Sequence, residues 1–298
     1  MVIDKMIDQI KLKKNPCIVG IDPEWSKLPD CYKSRTSSAA EVILQWAMDV
    51  IDSIADIVVA IKPQIAFFEV YGFEGIKVFQ QIIQYAHEKG LLVIDDSKRN
   101  DIGNTAKAYA YAHLSKEGPI NADFLTVSPF LGTDSLQPFV DVAIRNGKGL
   151  FILVKTSNPS SSEISDATND NNQKISHWLA NYIDTLGKNY LGRYGYSPIG
   201  AVVGATFPEE ATRLRELMKH NFFLVPGYGA QGGNVKDIVS CFQDDGLGAI
   251  INSSRGILYH YLKIDGYDNT RTMYLDIVRM QALEMRRAVT FSSKSHQQ

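Results

Sequence analysis

Nothing in this sequence approaches the roughly 18 uncharged apolar residues in a row that a membrane-crossing helix needs. The opening Met-Val-Ile-Asp-Lys-Met-Ile-Asp also breaks its apolar residues with charge too often to form the core of a signal peptide. Cysteine is scarce: Cys17, Cys31 and Cys241 are too few and too scattered for a disulfide framework or a Cys-x-x-Cys zinc site, which points to a reducing compartment. The histidines include no His-x-x-x-His pair, so a metal site built from His or Cys is not expected. Positive charge is not in excess either, because 31 Lys and Arg face 33 Asp and Glu, and a net charge of −2 gives no field for holding a nucleic-acid backbone. The expectation is a cytoplasmic protein with no metal, no nucleic-acid partner and no membrane, in which any phosphate is gripped locally.

What is present is the composition of an ordinary globular protein, 45% apolar and 21% charged, able to bury a substantial core. Short apolar, β-branched runs recur at 17–21, 57–61, 91–94, 124–127, 150–154, 199–203, 222–225 and 249–251. Most are continuously apolar rather than alternating, as strands covered by helices on both faces are. Segments with helical spacing lie between them, at 39–54, 75–87, 102–113, 134–145, 175–191, 208–219 and 234–243, with a last one at 270–287. Eight strands alternating with helices predict an α/β fold, a single-domain (β/α)8 TIM barrel spanning 1–291, more naturally than a doubly wound sheet. The segment 157–172, rich in Ser, Asn, Asp and Thr, reads as a mobile loop, either a surface insertion or a closing lid, and 292–298 as a disordered tail.

In such a barrel the active site is built at the C-terminal ends of the strands. The polar residues at those exits include Asp22, Lys62, Asp96, Lys98, Asp101, Thr156, Ser157, Asn252 and Arg255. The run Asp96-Ser-Lys98-Arg-Asn-Asp101 stands out, because crowding two carboxylates and an ammonium in a partly dry site costs free energy. Lys62 closes Val-Val-Ala-Ile and precedes Pro63, which ends the strand with the ammonium near the barrel mouth. Lys62 and Lys98 around Asp96 and Asp101 would make an alternating charge network able to give a proton or stabilise charge. Asp95 reads as structural.

A second feature is Pro226-Gly-Tyr-Gly-Ala-Gln-Gly-Gly233 after the seventh strand. Its Gly-x-Gly-x-x-Gly spacing matches a dinucleotide turn only superficially, since it lies far from the first βαβ unit. Glycine-rich turns after strands 7 and 8 commonly hold a single phosphate through backbone N–H groups. Gln231 can add an amide donor and Arg255 a planar fork.

With Lys62, the strand-3 Asp-x-Lys-x-x-Asp-Ile-x-x-Thr run, the Pro-Gly-x-Gly-Ala-Gln-Gly-Gly loop and Arg255 in this order, the chain resembles the orotidine 5′-phosphate decarboxylase family over roughly residues 17 to 260. Its long loop after strand 5 resembles a divergent bacterial-type branch. The resemblance implies a cofactor-independent carbon–carbon lyase of pyrimidine biosynthesis, standing alone without a phosphoribosyltransferase domain. The implied catalytic set is Lys62, Asp96, Lys98 and Asp101, with Lys98 giving the proton to C6 and Asp96 facing the departing carboxylate. Asp22 and Lys62 would hold ribose hydroxyls, and Ser157 or its neighbour Thr156 would meet the pyrimidine. Gln231 and Arg255, with Gly229 and Gly256, would bind the 5′-phosphate. Asp101 and Thr105 would act in trans, in the partner's site of a homodimer. Related phosphosugar enzymes of the same barrel group share a similar run but use Mg2+, which keeps them as the alternative.

Overall fold

The computed structural model describes residues 1–33, 38–227 and 235–294. Its centre is a closed parallel barrel in sequential order. The strands are β1 (Cys17–Ile21), β2 (Ala60–Pro63), β3 (Leu92–Arg99), β4 (Phe124–Val127), β5 (Gly149–Lys155), β6 (Ser197–Val203), β7 (Asn221–Val225) and β8 (Ala249–Ser253), and β1 closes the ring against β8. The expected barrel is therefore present, with two shifts worth stating. The second strand begins later than expected, at Ala60, and the third runs on to Arg99, so Asp96 and Lys98 belong to the end of the strand itself while Asp101 follows it.

The pleat sorts side chains into two cores. Successive residues of a strand point to opposite faces. Cys17, Val19 and Ile21 of β1, Val93 of β3 and Ile251 of β8 pack outward against the helices. Ile18, Ala60, Leu92, Ile94, Phe124 and Ile250 fill the inside. Continuing the inward parity upward from Ile18, Ala60, Ile94 and Phe124 reaches Asp22, Lys62, Asp96 with Lys98, and Thr126. That is how apolar strands deliver a polar set to one mouth.

The other mouth is filled by an element the periodicity reading did not foresee, the helix Val2–Lys13. Its Val2, Ile3, Met6, Ile7 and Ile10 recur at helical spacing and pack beneath the barrel interior. Lys13 Nζ donates to the carbonyls of Ala55 and Val58 at 2.7 and 2.6 Å, and Tyr194 donates to Asp8 at 2.7 Å, pinning the helix at its C-terminus and its middle.

The segment 157–172 is folded where a mobile loop was expected. It holds a 3-10 turn at Pro159–Ser161, a short helix at Ser162–Ser165 and an antiparallel bridge between Thr168 and Lys174. Its polar residues bond to backbone: the Asn169 side chain accepts from the N–H groups of Asn171 and Gln173. The last helix, Arg271–Lys294, continues past the point where the disordered tail was expected to begin, and 295–298 lie outside the described residues. Cys17 and Cys241 are buried, as core residues should be.

Candidate active site

The upper mouth opens into a cavity of about 580 Å³, a size suited to a nucleotide-scale ligand. At its floor Asp96 is buried and ionically clamped. Lys62 Nζ donates to Oδ2 and Lys98 Nζ to Oδ1, each at 2.6 Å, while Thr126 Oγ1 donates to Oδ1 at 3.0 Å and Gln64 Nε2 to Oδ2 at 3.3 Å. Burial alone would push the Asp96 carboxyl up, but the charges and hydrogen bonds of the two ammonium groups outweigh it and hold the group well below the usual carboxylate range. Burial likewise works against the Lys62 ammonium. Asp96 and then Asp22 reverse that and leave its pKa raised. Lys62 is 5% exposed, so its charge depends on these partners. Lys98 keeps 42% of its side chain open to the cavity and can reach a ligand.

Lys98 sits in the left-handed region at φ 47°, a conformation costly for a side chain with a Cβ. Its N–H donates to Thr126 Oγ1 at 2.9 Å, so one hydroxyl fixes both the backbone of Lys98 and the carboxylate of Asp96. Thr126 was not foreseen as a site residue. The signal for it was a single hydroxyl in Phe-Leu-Thr-Val, two residues above the inward Phe124. Gln64, two residues above Lys62, was missed for want of the same reading.

Asp95 has the opposite parity and points out of the barrel, where it is buried against the helix Gly103–Leu114. His113 Nδ1 lies 2.5 Å from its Oδ2, Ser97 donates to its Oδ1, and Arg99 Nε donates to His113 Nε2 at 3.3 Å. Because Nε2 accepts, the imidazole proton is on Nδ1 and is given to Asp95. The structural reading of Asp95 agrees with this arrangement.

Asp22 follows β1 on the cavity wall. Burial pushes its carboxyl up despite Lys62 and a hydrogen bond from Ser254. Its Oδ1 and the Oδ1 of Asn252 are buried acceptors with no donor among the described residues, which marks a place for ligand hydroxyls. Gly20 makes the wall this tight, since a Cβ there would fall 1.8 Å from Ser254 Oγ. A carboxylate whose pKa is raised by folding carries a penalty above its ordinary value near 3.9. Asp22→Asn is therefore expected to leave thermal stability at pH 7 unchanged or higher, while raising KM by about 10- to 100-fold through loss of a charged acceptor. A melting curve and a saturation curve check the two halves.

Thr156, Ser157 and Arg255 also line the cavity, Arg255 at its exposed rim. The Thr156 hydroxyl donates to Asn158 Oδ1 at 2.7 Å. Gly256 lies instead in an adjoining hollow shared with Arg255, Lys27 and Tyr259. Gly229 and Gln231 fall outside the described residues. Neither Asp101 nor Thr105 is among the described residues lining this cavity. Asp101 Oδ1 accepts from the N–H of Ile102 at 2.8 Å, and Thr105 is exposed, so within one chain the expected four-member network reduces to Lys62, Asp96 and Lys98.

A model of the orotidine 5′-phosphate decarboxylase / HUMPS family matches residues 15–262. Over 289 residues the chain is 37% identical to the orotidine 5′-phosphate decarboxylase of Clostridium perfringens strain SM101, covering 97% of this chain and 98% of that one. Over 277 residues it is 41% identical to the orotidine 5′-phosphate decarboxylase of Rhodopirellula baltica, covering 90% of this chain and 91% of that one. A crystal structure from Streptomyces avermitilis is similar with a TM-score of 0.81 at 33% identity, covering 96% of this chain and 95% of the other.

Proposed function

The chain belongs to the orotidine 5′-phosphate decarboxylase / HUMPS family and decarboxylates orotidine 5′-phosphate to UMP and CO2, and from that premise we propose which residues carry the reaction and how. Loss of CO2 from C6 of the pyrimidine leaves a carbanion in the ring plane with no conjugated sink, so the barrier must be lowered by groups placed beforehand where charge develops. The observation that carries the reading is the Asp96 carboxylate held between the Lys62 and Lys98 ammonium groups at 2.6 Å each on the cavity floor.

Lys98 faces C6, stabilises the growing negative charge and transfers the proton that replaces CO2. Asp96, kept ionised by its neighbours, faces the substrate carboxylate, and the repulsion between them is relieved as CO2 departs. Asp22 and Lys62 receive the ribose hydroxyls, Asp22 Oδ1 being one of the orphaned acceptors. Ser157 meets the pyrimidine, and Arg255, with Gln231 and the glycine-rich turn, grips the 5′-phosphate. Binding energy from that remote phosphate offsets the unfavourable pairing of carboxylates at the reacting end.

The active unit is a homodimer in which Asp101 and Thr105 complete the partner's site. Two observations support this. Both residues stand off the chain's own cavity, and large apolar side chains are exposed just after β3 and β4, at Ile102 and at Phe130 and Leu131. The test is complementation. Lys98→Ala and Asp101→Ala homodimers are each nearly inactive, but after dissociation and random reassociation, half the dimers are mixed and each carries one intact site. Activity returns to about a quarter of wild type, as two-fold symmetry requires. If mixing restores nothing, Asp101 works within its own chain or not at all.

A further inference from the structure

Lys155 is a buried cation that the chemistry above does not use. It ends β5 and is 1% exposed. Its Nζ donates to both oxygens of Asp166 at 3.0 Å and to Ser165 Oγ at 2.7 Å, and it lies 4.6 Å from the centre of the Phe207 ring. Asp166 stays one-third exposed, and a pair that is desolvated at the lysine and screened by water at the carboxylate gains little stability. What such a pair does supply is a defined position. Here it joins the last residue of β5 to the far side of the folded segment that follows, closing the chain from 156 to 165 into a ring. Asp166 is held in turn by Lys174 at 3.7 Å, and Lys174 bonds Glu210 at 3.2 Å, so the ring is tied to the helix Pro208–Leu217.

Within that ring, Ser157 is pressed against β6. A Cβ at Gly204 would fall 2.9 Å from Ser157 Cα, the Gly204 N–H donates to the Lys155 carbonyl at 2.8 Å, and Thr206 Oγ1 donates to the Ser157 carbonyl at 3.4 Å. The backbone that carries Ser157 to the cavity is therefore clamped on one side by β6 and on the other by the ion pair.

We propose that the Lys155–Asp166 pair is a positioning element for substrate recognition, holding the 156–158 segment so that Ser157 meets the pyrimidine already in place. It rests on the assignment of Ser157 to the base. Without the pair the segment must be ordered at the expense of substrate binding energy, which raises KM and leaves the chemical step nearly intact.

Asp166→Asn keeps the shape and removes the charge, and it stands in for Lys155→Met should that variant not fold. Asp166→Asn is expected to raise KM by about tenfold with kcat within about threefold, while inhibition by inorganic phosphate alone is unchanged. Ser157→Ala is expected to raise KM by about tenfold in the wild-type background but less than about threefold in Asp166→Asn, since the two act through one route. Multiplying penalties would overturn the positioning role while leaving Ser157 on the base. The same holds for an Asp166→Asn enzyme with wild-type KM. If Ser157→Ala alone costs nothing, the base assignment falls first and the inference falls with it.

Discussion

Lys98→Ala is expected to lower kcat by about 10⁴-fold or more, because in the proposed mechanism it removes both the proton donor and the nearest positive charge to the developing carbanion. Affinity for a product-like nucleotide should stay within about tenfold, since ribose and phosphate are gripped elsewhere. Two features of the structure sharpen the expectation. Lys98 is the ammonium of the pair that remains open to the cavity, and its left-handed backbone is held by Thr126, so its aim is set before substrate arrives. Lys98→Arg separates the two roles. A guanidinium keeps the charge but does not release a proton near neutral pH, so a deficit of about 10²-fold or more should persist. Single-turnover measurements with both variants make the comparison, and wild-type turnover in either would remove Lys98 from the proton-transfer step.

Asp96→Asn should be the most damaging change to the fold as well as to the reaction. It leaves the buried Lys62 ammonium without its hydrogen-bonded counter-charge, with Asp22 alone still facing it, and breaking a buried pair in this way costs about 3–5 kcal/mol. Urea denaturation at pH 7 reads that loss directly, and a change below about 1 kcal/mol would mean the pair is not the support it is taken for. The same pair sets a pH window. The Asp96 carboxyl is held below its ordinary value, so its contribution is complete above about pH 4 and is lost as pH falls through the lowered folded value. The Lys62 ammonium is raised, so its contribution is complete below about pH 10 and is lost as pH rises through the raised folded value. Wild-type stability should therefore show a plateau between these limits, and Asp96→Asn should lack the acid limb that Asp96 supplies.

The barrel was legible because a strand covered on both faces leaves a compact apolar run, and the chain has eight of them. The floor of the site was legible for a second reason: Lys62 and Asp96 each lie two residues beyond an inward apolar side chain, and β-strand parity does not change at the strand's end. Thr126 was harder, since a lone threonine in an apolar strand is ordinary until two strands are side by side. The Lys155–Asp166 pair joins residues 11 apart in a segment whose polarity suggested solvent. There the side chains bond to backbone and to one another, and composition does not distinguish those partners from water. The N-terminal helix was missed because its charges were weighed against a signal peptide, while the spacing of Val2, Ile3, Met6, Ile7 and Ile10 was not followed.

That helix makes the barrel a cup and not a tube. With the lower mouth filled by Met6, Ile7 and Ile10, the charged floor is backed by hydrocarbon, and the field between Lys62, Asp96 and Lys98 is not diluted by water from beneath. Traffic follows the same geometry. On the roles proposed for Lys98, nucleotide, carbon dioxide and the solvent proton that would recharge its ammonium all share the upper mouth, so a bound product would stand in the path of the proton that readies the site for its next turnover.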